Sequence, residues 1–161
     1  MEERPPTGPG DHSDGLQARV HSCEWHTGRA KATEPISGCF ELAFTRERLG
    51  DLRRFVAQGA TEASLDPARI GDLVLAVNEL ATNSVRHAGG AGTLRIWREG
   101  DVLLCDVHDQ GHIPLPSVCS TAPEPTQITG RGLWIVGQLC DLVQIRTSHR
   151  GSVVRVHMRL T

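Results

Sequence analysis

Residues 65–90 read LDPARIGDLVLAVNELATNSVRHAGG, and the reading of this stretch decides the fold. Asp66 offers a side-chain acceptor to the first free N–H groups of a helix, and Pro67 brings a φ already suited to the first turn. Ile70, Leu73, Val74, Val77, Leu80, Ala81, Ser84 and Val85 then recur at spacings of three and four, as in a helix with one face on a core. Ala88-Gly89-Gly90 stops it, because glycine accepts the left-handed backbone that a helix exit often needs. Glu79, Asn83 and His87 fall four apart, so they stack in one stripe beside the apolar face. A solvated stripe is the ordinary explanation of such spacing, and the three residues gain meaning only from what the rest of the chain sets beside them.

Working outward, the alternation of Phe40, Leu42 and Phe44 predicts a strand within 36–44, and Leu49, Leu52, Phe55 and Val56 predict a helix over 46–58. Beyond the long helix, two β-rich runs at 93–97 and 102–109 flank the polar turn Arg98-Glu99-Gly100-Asp101. Two more, at 142–147 and 152–160, flank His149-Arg150-Gly151, so each pair is expected to be antiparallel. Between the hairpins, 112–129 carries Pro114, Pro116, Pro123 and Pro125 and is expected to be a long loop or lid. Gly132 then opens a third helix with Leu133, Val136, Gly137 and Cys140 on one side. Residues 1–35 are rich in Pro, Gly, Ser, His and charge, without apolar periodicity, and are predicted to be a disordered tail before a domain at 36–161. Hairpins leave few crossovers for a parallel sheet, so the prediction is α+β: a two-layer sandwich with helices over a mixed, mainly antiparallel sheet.

Composition narrows the function. The 161 residues suit one domain, and 17 basic against 19 acidic residues give a formal charge of −2 with no basic stripe, which argues against nucleic acid as a direct partner. The five cysteines, Cys23, Cys39, Cys105, Cys119 and Cys140, are odd in number and widely spaced, with no CxxC pair, as expected of reduced thiols in the cytoplasm. No HExxH-like histidine pattern supports zinc. No signal-peptide-like or membrane-spanning run is present, so a soluble cytoplasmic protein with no membrane partner is expected.

Four further features carry chemistry. Asp109 shares strand parity with Leu103, Cys105 and Val107, so its carboxylate is directed to the covered face, where it needs a partner such as an exocyclic amine. A turn-forming Asp before Gly111 explains the same residues equally well locally. Gly130-Arg131-Gly132, opening a helix, presents free N–H groups and a positive dipole end to an anion, although it is neither a Walker loop nor a dinucleotide fingerprint. Ser152 shares parity with Val154, Val156, Met158 and Leu160, so it either joins Asp109 in holding a base or caps its own hairpin.

In order, Glu79-Leu-Ala-Thr-Asn83-Ser-Val-Arg-His87, Asp109-Gln-Gly111-His-Ile-Pro114, Thr129-Gly-Arg-Gly132-Leu133 and Gly151-Ser152 resemble the gyrase, heat-shock-90, histidine-kinase and MutL ATPase superfamily, in its bacterial anti-sigma serine/threonine kinase branch. The resemblance covers residues 36–160. It implies the Bergerat fold, ATP held between helices and sheet, and Mg²⁺. It further implies Asn83 as the Mg²⁺ ligand, Glu79 as general base, Asp109 as acceptor of the adenine amine, and Gly111 as the residue permitting close approach of the base. Gly130, Arg131, Gly132 and Leu133 correspond to the phosphate-binding loop and helix start, Ser152 to a hydroxyl assisting adenine recognition, and His87 is grouped with the nucleotide-binding set. Ile113 departs from the second glycine of many members, and no arginine directly precedes Thr129-Gly130.

The resemblance implies a kinase that phosphorylates a Ser or Thr of an anti-sigma antagonist and, in another complex, sequesters a sigma factor; a homodimer is among the assemblies it allows. The alternative is a non-catalytic binding module that uses ATP only as a conformational ligand or not at all. No preceding helix pair with a phospho-acceptor His favours a histidine kinase, and the topoisomerase, chaperone and mismatch-repair members need further domains.

Overall fold

In the computed structural model, residues 24–26, 38–111 and 131–161 are described. Along the chain run β1 (Glu24–His26), β2 (Phe40–Thr45), a 3-10 turn (Arg46–Arg48), α1 (Leu49–Glu62), α2 (Pro67–His87), β3 (Ala91–Glu99), β4 (Val102–Asp109), α3 (Arg131–Leu139), β5 (Leu142–Ser148) and β6 (Gly151–Arg159). The strands form one sheet in the order β1-β5-β6-β4-β3-β2, antiparallel at every pairing except β1 with β5. With the helices packed over one face, this is the expected α+β two-layer sandwich with a mixed, mainly antiparallel sheet. The segment 112–129, expected as a lid, and Gly130 lie outside the described residues, as does most of 1–35. Glu24–His26, inside the expected tail, adds to the sheet through register pairs such as Trp25 with Ile145.

The termini of α2 follow from its sequence. The Asp66 side chain accepts from the Ala68 N–H at 3.0 Å, and Gly89 and Gly90 both take φ near +86° to turn the chain into β3. Leu73, Ala76, Val77, Leu80 and Ala81 are buried and meet Leu94, Ile96, Leu103, Cys105 and Val107 of the sheet together with Val136 and Cys140 from α3 and its end. α1 runs to Glu62, past the predicted end at Gln58, and closes with Leu65 N–H on Ala60 O at 2.9 Å and Ser64 N–H on Thr61 O at 3.0 Å. That pairing places Ser64 in the left-handed region at φ 64°.

Arg69, near the start of α2, donates to Asp141 Oδ2 at 2.8 Å and reaches the Leu139 carbonyl at 3.5 Å; Asp141 Oδ2 also accepts the Arg159 N–H at 2.7 Å. One carboxylate thereby fixes the end of α3 against α2 and β6, which sets where the other end of α3 arrives.

β4 departs from simple alternation. Leu103, Cys105 and Val107 face the helices as predicted, but Leu104 and Asp106, of the opposite parity, are buried too. The reason lies on neighbouring strands. Arg155 of β6 holds both Asp106 oxygens, at 2.7 and 2.9 Å, while its guanidinium stacks 4.9 Å above the centroid of Trp97 from β3. Burial raises the Asp106 carboxyl, but the two bonds from Arg155 and the proximity of His108 outweigh it, so the acid is held below its ordinary range.

Candidate functional site

Two clusters form where α2, α3 and the ends of β4 and β6 converge. In the first, α2 presents Glu79 and Asn83, both half-buried, to the opening turn of α3. A Cβ built on Gly132 would stand 3.1 Å from Asn83 Nδ2 and 3.2 Å from Glu79 Oε2. A methyl there would press on both side chains, so the backbone at the start of α3 lies directly against the carboxylate and the amide. Glu79 and Asn83, four apart on α2, are thus brought to one point with Gly132, which is distant in sequence.

The second cluster is built around Asp109. Its Oδ2 accepts the Ser84 hydroxyl at 2.6 Å and its Oδ1 accepts the Gly111 N–H at 2.8 Å, so both oxygens are oriented by the protein. Ser152, 3% exposed, donates to the Gly111 carbonyl at 2.8 Å and lies 3.1 Å from the Thr147 hydroxyl. Ser152 therefore shapes the turn behind Asp109 and makes no bond to the carboxylate itself. At Gly111 a Cβ would meet the Ala88 Cβ at 2.6 Å, which explains the glycine: this turn is pressed against the end of α2.

Chemically, the first cluster offers two hard oxygen donors beside backbone N–H groups at a helix start, a donor set that fits Mg²⁺ and the phosphates it accompanies. The second offers an oriented acceptor able to take an exocyclic amine. The remaining expected residues are placed as follows. His87 is exposed on the last turn of α2, and no hydrogen bond or ion pair joins it to either cluster among the described residues. Leu133, 9% exposed, is part of the hydrophobic core and anchors α3. Gly130 and the Arg131 side chain lie outside the described residues.

Ser84 is the functional residue that sequence reasoning missed, having been counted among the apolar positions of α2. It is 1% exposed, and the Leu80 carbonyl, 3.2 Å away, is a second and more distant acceptor for its single proton. The signal was its polarity: a hydroxyl in a core-facing stripe needs a partner, and Asp109 is the nearest acceptor from the sheet.

Among the described residues no group of three or more His, Cys, Asp or Glu side chains is placed to hold a metal ion, and no helix is long and apolar enough to cross a membrane. No curated protein matches the chain as a relative. Among solved structures, the RsbU and RsbW domains of Rv1364c from Mycobacterium tuberculosis align at 18% identity with a TM-score of 0.54, over 74% of this chain and 32% of that one. The chain thus spans about a third of that protein's length. The Acinetobacter baumannii histidine kinase AdeS aligns at 16% identity and a TM-score of 0.42, over 76% of this chain and 68% of that one. Residues 42–158 match the family described as the histidine kinase-like ATPase domain, a span that takes in α2, both clusters and nearly all of β2 to β6; the chain belongs to that family.

Proposed function

We propose that the chain is an ATP-dependent regulatory kinase of the anti-sigma type, transferring the γ-phosphate to a Ser or Thr of an antagonist protein and sequestering a sigma factor in a separate complex. The observation that carries the reading is the convergence of Glu79, Asn83 and Gly132, which sets a carboxylate, an amide oxygen and a helix start around one point. The likeness, at 18% identity, to a structure containing an RsbW domain supports the anti-sigma form of this reading.

In this reading Asp109, oriented by Ser84 and Gly111, takes the adenine amine, Asn83 ligates Mg²⁺, and the start of α3 meets the phosphates. Bound ATP supplies the phosphoryl group, and Mg²⁺ offsets its charge. Glu79 takes the proton of the substrate hydroxyl as that oxygen bonds to the γ-phosphorus and the bond to the β-phosphate oxygen breaks, releasing ADP. Glu79→Ala is expected to keep ATP binding and to lower transfer roughly a hundred- to ten-thousand-fold, read as radiolabel passed from ATP to a cognate antagonist. ATP binding by wild type with no transfer to any cognate antagonist would make the chain a binding module that uses ATP as a conformational ligand.

A further inference from the structure

The face of the sheet turned away from the helices carries a feature the nucleotide reading does not use. At the end near the β5–β6 turn, the outward positions of β2 and β3 hold the short side chains Ala43, Thr45, Ala91 and Thr93. The flanking positions hold long cationic ones. The result is a trough of about 750 Å³, floored by small residues and Val153 and rimmed by Arg48, Arg95, Arg146, Arg150 and Arg155. That volume lies within the range of small-molecule sites.

The charges on the rim are unequal in their attachments. Arg155 is matched by Asp106, Arg95 is matched by Glu41 at 2.6 Å, and Arg48 lies 3.6 Å from Asp51. Arg146 and Arg150 have no acidic partner among the described residues, and Arg146 is half-buried. Asp109, which also borders the trough, has both oxygens engaged by Ser84 and Gly111. His108, from the centre of the trough, keeps a buried Nε2 with no hydrogen bond, 3.7 Å from Asp106 Oδ2. Among the described residues the wall therefore carries two guanidiniums with no acidic partner against one carboxylate, Asp109, that no cation matches, and a guanidinium's planar donor fork matches the oxygens of phosphate and carboxylate.

We propose that this trough is a second binding site, for a small multivalent oxyanion, separate from the nucleotide site and held chiefly by Arg146 and Arg150. Its position gives it a route to that site. Along β4 and β6, His108 and Val153 face the trough while their immediate neighbours Asp109 and Ser152 face the helices, so the two sites are opposite surfaces of the same few residues.

The test is an amide-shift NMR titration of the whole chain, once with inorganic phosphate and once with citrate. The expected result is saturable shifts centred on Thr93, His108 and Val153 for at least one anion. Saturation by phosphate alone assigns a phosphate-bearing ligand, and saturation by citrate alone a polycarboxylate. Both residues lack an acidic partner among the described residues and are at least partly exposed, so Arg146→Ala with Arg150→Ala should leave the fold intact, checked by circular dichroism, while weakening the apparent Kd at least tenfold. Arg98→Ala, at the other end of β3 and bonded to the Gly100 and Ala63 carbonyls, should leave it unchanged. Shifts that never saturate with either anion, an unchanged Kd in the double variant, or saturable shifts centred on Glu79, Asn83 and Gly132 would each overturn the proposal.

Discussion

Asp109 shows how a carboxylate on a strand becomes a recognition group: one oxygen is fixed by the Ser84 hydroxyl and the other by the Gly111 N–H. If this acceptor and the Asn83 amide hold ATP, then Asp109→Ala and Asn83→Ala abolish Mg²⁺-dependent ATP binding in calorimetry without altering the fold, and unchanged affinity in both would refute the site assignment. Ser84→Ala is a subtler test. It removes a bond to a charged group, worth about 1.5–3 kcal/mol, so ATP affinity should fall roughly tenfold or more while Ser84→Thr recovers part of it. Gly132→Ala should weaken ATP binding less than Ser84→Ala, since its methyl asks the ends of Glu79 and Asn83 to give by only a few tenths of an ångström. Sequence patterning assigned Glu79, Asn83 and Asp109 to the faces they occupy, while the roles proposed for them come from the family resemblance. It left Ser84 hidden because the same periodicity accepts a small polar residue as filler.

At the level of elements, α2 was legible to its ends, since Asp66, Pro67, Gly89 and Gly90 are residues whose backbone preferences dictate helix boundaries. α1 was read four residues short because its last turn is buried through Ala60, beyond the reach of an apolar pattern built on Leu, Phe and Val. Its exit is also held by a serine at φ 64°, a conformation that costs a side chain and not glycine. Ser64→Gly is therefore expected to stabilise the protein by about 0.5–1 kcal/mol, seen as a higher urea midpoint at unchanged m. The double burial of β4 could not be read from β4 alone. Asp106 looks solvent-facing until Arg155 and Trp97, from two other strands, close over it.

Across the whole molecule, the Asp106–Arg155 pair links stability to acid. The folded carboxyl is held below the ordinary value of 3.8, so its contribution is complete above that pH and disappears as pH falls through the depressed folded value. Asp106→Asn should lose stability at neutral pH and show a shallower acid limb in urea titrations carried toward about pH 3. The core makes a separate prediction. Burial pushes the Cys140 thiol up to about 12 and the Cys105 thiol well above its ordinary value, so peptide-mapped alkylation of the native protein should leave both unmodified until it unfolds. The sheet order has one more consequence, felt while the chain is being made. β4 is enclosed by β3, its immediate predecessor, and by β6, which is synthesised last of all the described strands. A growing chain on the ribosome can close the β3–β4 hairpin early, but one edge of β4 stays bare until residues 151–159 have emerged. Between the synthesis of Asp109 and that of β6, then, the middle of the finished sheet is an open flank, and the length of that interval depends on elongation rate as much as on anything encoded in the fold.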